Sequence, residues 1–60
     1  MNAKQLKNAK IDLVTTLQAK RNRFAAGLAI PGVDKVAVQR VIDKVSEQIA
    51  DLEREIALLG

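Results

Sequence analysis

The only proline, Pro31, and two of the three glycines, Gly27 and Gly32, sit together at the middle of a 60-residue chain. Proline removes a helical N–H and collides with the preceding turn, and glycine weakens a helix interior, so a helix cannot run through this segment. The residues on either side are rich in helix formers. The sequence therefore predicts an all-α single domain, residues 1–60, folded as an antiparallel two-helix hairpin of the coiled-coil type. The expected bounds are about 3–26 for the first helix, about 27–33 for the turn and about 34–59 for the second helix. A helix of about 25 residues is roughly 38 Å long.

The second half carries the clearer pattern. Val38, Ile42, Val45, Ile49, Leu52, Ile56 and Leu59 alternate spacings of four and three, a sustained heptad seam. Asp34 stands where it can cap this helix. In the first half the apolar stripe reads Ala3, Leu6, Leu13, Leu17 and Phe24, with Lys10 and Lys20 filling the gaps. Ala9, Val14 and Leu28 widen that face, Ile11 points away from it, and Gly27 is the expected C-terminal cap.

The two stripes face each other with one common centre. Ala3–Leu59, Leu6–Ile56, Leu13–Ile49, Leu17–Val45 and Phe24–Val38 are all symmetric about Pro31. Charge favours the same arrangement. The chain has ten Lys and Arg against seven Asp and Glu, a formal net charge of +3, and the excess lies in the first half. Antiparallel folding brings Lys4, Lys7 and Lys10 beside Asp51, Glu53 and Glu55, with Lys7–Glu53 as an expected contact. An exposed pair is worth about 0–1 kcal/mol, so charge selects register more than it adds stability.

Hydrophobic residues make up 48% of the chain, more than two facing stripes use. A chain this short is marginal alone, so self-association, most simply a dimer forming a four-helix or larger bundle, is expected. The oligomer core is assigned to Leu13, Leu17, Val38, Ile42, Val45, Ile49, Leu52 and Ile56.

Composition excludes several functions. With no Cys and no His there are no disulfides, no zinc sites of the usual kind and no Cys–His or Ser–His–Asp nucleophile. Thr15, Thr16 and Ser46 are the only side-chain hydroxyls, and none has an activating base beside it. The acidic row Asp43, Glu47, Asp51 and Glu55 reads as a solvated face neutralised by Arg40, Lys44 and Arg54, since carboxylate di-metal bundles combine Glu with His. No enzymatic activity, cofactor or metal is expected.

Two binding features remain. The stretch from Phe24 to Val33 carries neither charge nor hydroxyl. Phe24, Leu28, Ile30 and Val33 close the end of the bundle, or dock a partner protein or another subunit, with a membrane-touching tip flanked by Arg as a weaker third option. Lys20, Arg21 and Arg23, with Lys35, Arg40 and Lys44 near the turn, form a basic cluster, and Lys10 joins Lys20 as a seam lysine; these residues either are solvated or hold an anion such as RNA, DNA or a nucleotide. A single aromatic residue argues against stacking recognition of single strands. No uncharged stretch is long enough to span a bilayer and the first residues show no secretory pattern, so a cytoplasmic location is the expectation. The favoured reading is a small oligomeric protein-interaction module, acting as adaptor, inhibitor or assembly factor. The alternative is an anion binder.

Overall fold

A computed structural model describes residues 2–60. Two helices, α1 (Ala3–Gly27) and α2 (Lys35–Leu58), pack against each other as a hairpin 47 Å long and about 14 Å across.

Each helix begins at a side-chain cap. Asn2 Oδ1 accepts from the Gln5 N–H at 2.8 Å, and the Gln5 side chain accepts from the Asn2 N–H at 3.1 Å, a reciprocal capping box. Asp34 Oδ1 accepts from the Ala37 N–H at 3.1 Å and starts α2. Gly27 does not adopt the left-handed conformation expected of a helix cap. The last turn of α1 instead closes through the Leu28 N–H, which reaches the Ala25 and Ala26 carbonyls. Within the turn the left-handed residue is Gly32, at φ 82°. Pro31 precedes it, and the Val33 N–H donates to the Ile30 carbonyl at 3.4 Å. Proline followed by a left-handed glycine is the pattern of a type II turn, which reverses the chain.

The core is Val14, Val45 and Ile49, with Leu17, Val41, Leu52 and Ile56 packed around it. On α2 this agrees with the heptad seam, apart from Val41, which flanks that seam and is nonetheless half-buried against the core. On α1 it corrects the stripe read from the sequence: Val14 is 9% exposed, whereas Leu13 is 47% exposed and Leu6 is 39% exposed. The residues of α1 turned toward α2 are Lys7, Lys10, Val14, Leu17, Arg21, Phe24 and then Leu28 beyond the helix end, all buried or half-buried. That series keeps unbroken spacings of three and four, which the all-apolar stripe does not. Lysine and arginine hold seam positions because their methylene stems cover apolar surface while the charged ends reach the rim.

The open end of the hairpin shows the register. Lys10 Nζ meets Glu55 Oε2 at 2.7 Å, and Lys7 Nζ donates to the Gly60 carbonyl at 2.9 Å. Lys7 therefore does not reach Glu53. The Lys10–Glu55 pair is centred between Gly32 and Val33, close to a turn of the chain that the sequence centred on Pro31.

Candidate interaction surfaces

Helix geometry divides the surface of the hairpin into two sides flanking the seam. On one side of α1, Leu6, Leu13, Lys20 and Gly27 recur every seven residues, and α2 places Val41, Gln48 and Glu55 on the same side. Two shallow grooves run along this side. The first is lined by Leu13, Leu17, Gln48, Asp51, Leu52 and Glu55. The second, nearer the turn, is lined by Lys20, Arg23, Phe24, Gly27, Val33 and Val38. The two form one continuous face, because Leu13 and Lys20, like Leu17 and Phe24, are one heptad apart.

A third groove lies on the other side of the turn end, between Leu28, Lys35, Val36, Gln39, Arg40 and Asp43. The basic residues near the turn are thus split between two places. Lys20 and Arg23 come together beside Phe24, while Lys35 and Arg40 lie in the separate groove. Arg21 is half-buried on the seam, and Lys10 closes on Glu55 at the far end of the helix. The set Lys10, Lys20, Arg21 and Arg23 is therefore not a single cluster: only Lys20 and Arg23 line one groove.

The apolar turn is divided in the same way. Phe24 and Val33 line the groove with Lys20 and Arg23, Leu28 lines the other, and Ile30 stands exposed at the tip. Of the eight residues assigned to an oligomer core, Val45 and Ile49 are buried within the hairpin and Leu17, Val38, Ile42, Leu52 and Ile56 are half-buried. Leu13 opens to solvent.

Among the described residues three of the four carboxylates of the acidic row, all but Glu47, have a side-chain partner, and of Arg40, Lys44 and Arg54 only Arg54 supplies one. The Gln39 side chain donates to Asp43 at 2.9 Å, Arg54 pairs with Asp51, and Lys10 pairs with Glu55. Among the described residues no three His, Cys, Asp or Glu side chains gather as a metal site. The Thr15 and Thr16 hydroxyls donate to the Ile11 and Asp12 carbonyls, one turn back on their own helix. Among the described residues no helix is long and apolar enough to cross a membrane.

Sequence reasoning missed the groove that joins Leu13 to Gln48, Asp51 and Glu55. The available signal was the seven-residue recurrence of Leu6 and Leu13 with Lys20 and Gly27, one position before the true seam. What the grooves share is shallowness and apolar floors with charged margins, a surface that suits packing against another chain more than enclosing a small molecule. Comparison with protein-family models, curated proteins and solved structures returns no match for this chain.

Proposed function

We propose that this protein is a small, non-enzymatic interaction module that self-associates, most simply as a dimer, and presents the remaining surface to another protein. The observation that carries this reading is uncovered apolar surface. Among the described residues three side chains are buried, while Leu6, Ile11, Leu13, Ile30, Val36 and Leu58 are exposed. The accessible surface is 4486 Å² for a 6.5 kDa chain, against about 3,800 Å² for a compact monomer of that mass. The hairpin covers roughly half of what its extended chain would expose, less than small independent domains achieve.

Sedimentation equilibrium at micromolar concentration tests the self-association, and a folded monomer there overturns it. The joint substitution Leu28→Ser, Ile30→Ser tests the turn as a docking tip. Retained folding with lost partner binding supports docking, and loss of folding assigns the two residues to closing the bundle.

One observation favours a second reading. Lys20 and Arg23 flank Phe24 in a single groove, a pair of cations over an apolar floor that suits a phosphate-bearing ligand. Salt separates the readings. Phosphate binding weakens steeply as salt rises because counterions are released, whereas association through apolar faces changes little. Native mass spectrometry of protein purified from its source reports subunit number and any retained nucleotide together.

A further inference from the structure

The face that carries Leu6, Leu13 and Lys20 is polarised along its length. Toward the turn it bears Lys20, Arg23 and, on α2, Lys44. Toward the open end it bears Asp51 and Glu55 among apolar Leu6, Leu13 and Leu58. Asp51 is exposed and, among the described residues, is held through Arg54 alone, its neighbour on the same helix.

We infer that this face docks the same face of a second copy in antiparallel orientation, turn beside open end, about a two-fold axis that crosses the hairpin at the level of Gln48. The inference rests on the self-association proposed above and specifies the face and the direction.

Such an axis lays α1 over the second copy's α1 and α2 over its α2, each pair antiparallel. On α2, with Gln48 on the axis, Lys44 of one copy stands opposite Asp51 of the other, and the pair occurs twice by symmetry. The Lys10–Glu55 pair sets Gln48 level with Leu17 on α1. About that height, Leu13 meets the stem of Lys20 from the second copy, and Leu6 lies over its Gly27. A Cβ built at Gly27 has nothing within 4 Å, so the space above it is open for the leucine. The charge pattern of α2 and the apolar spacing of α1 thus share one centre to within about one residue, roughly 1.5 Å of helix rise.

The opposite orientation, with both turns at one end, sets Lys20 of one copy over Lys44 of the other and leaves the acidic ends together. Like charges across an interface oppose that docking. The available area is sufficient. A face 47 Å long and 14 Å wide spans roughly 660 Å² before side-chain relief, near the ~800 Å² per partner of a standard stable interface.

The test uses the full chain, which has no cysteine of its own. Lys44→Glu and Asp51→Lys are each expected to weaken the dimer about tenfold, since symmetry turns two attractive pairs into two repulsive ones. Mixed in equal amounts, the two variants regain the affinity. The carboxylate introduced at position 44 of one copy then faces the ammonium introduced at position 51 of the other, and the unaltered Asp51 faces the unaltered Lys44. Circular dichroism of each variant checks that the helices persist. In parallel, Gln48→Cys forms a disulfide between copies under mild oxidation, and Glu47→Cys, on the outward side of α2, does not. A dimer by sedimentation that neither cross-links through Gln48→Cys nor recovers on mixing overturns the docking face while leaving self-association standing. A monomer at every concentration overturns both.

Discussion

Replacing Ile49 by alanine removes the largest of the three side chains that are buried among the described residues. Ile49 is 4% exposed and packs with Val14 and Val45. The lost carbons are worth about 2.4 kcal/mol at roughly 0.8 kcal/mol per buried methylene. A cavity adds to this, but Leu52 and Ile56 are half-buried and free to close in, so the cavity contribution is small. Alanine's higher helix propensity returns a few tenths of a kcal/mol. The expected cost is about 2–2.5 kcal/mol, against a total of about 3–9 kcal/mol for a domain of this length. With about 4–8 °C per kcal/mol, the midpoint of thermal unfolding falls by about 8–20 °C. The assay is far-ultraviolet circular dichroism at fixed protein concentration, because association itself raises the midpoint. Ile11→Ala is the control. Ile11 is 41% exposed, points away from the core and costs less than about 1 kcal/mol. Equal shifts for the two variants, or a fall below about 4 °C for Ile49→Ala, would refute the placement of the core.

Three further outcomes follow from the ends and the register of the hairpin. Asp34→Ala removes the only side-chain cap of α2 and costs about 0.5–2 kcal/mol, with faster amide exchange confined to its first turn; no change in exchange at Ala37 would contradict the cap. Gly32→Ala forces a side chain into φ 82° and destabilises by about 1–2 kcal/mol although nothing crowds the site, so a neutral result in denaturant titration would mean that the turn is not left-handed there. Lys10→Met keeps the stem and discards the ion pair with Glu55, so chemical denaturation shows a change within about 1 kcal/mol; a loss above about 2 kcal/mol would show that the pair does more than set register.

The seam of α2 was legible because its positions are filled by Val, Ile and Leu without interruption, and the buried Val45 and Ile49 belong to it. The seam of α1 was not. Its inward series includes Lys7, Lys10 and Arg21, so a search for apolar spacing settles on Leu6 and Leu13, one position away. A shift of one residue turns a helix face by about 100°, enough to exchange an inward side chain for a flanking one. The same shift explains why the groove of Leu13, Gln48, Asp51 and Glu55 went unread, and why the basic residues near the turn looked like one cluster when the hairpin divides them. The chain reversal was legible in its place, around Pro31, but the left-handed role belongs to Gly32 and not to Gly27.

What the sequence by itself determined are the local events. Capping by Asn2 and Asp34, the break at Pro31–Gly32 and the helicity of both halves depend on a few neighbouring residues and their backbone preferences. What only the tertiary structure decided is which face of α1 meets α2, and therefore which leucines are left outside. That choice weighs the packing of long basic stems and the Lys10–Glu55 pair against alternative apolar contacts, and those terms exist only once the two helices lie side by side.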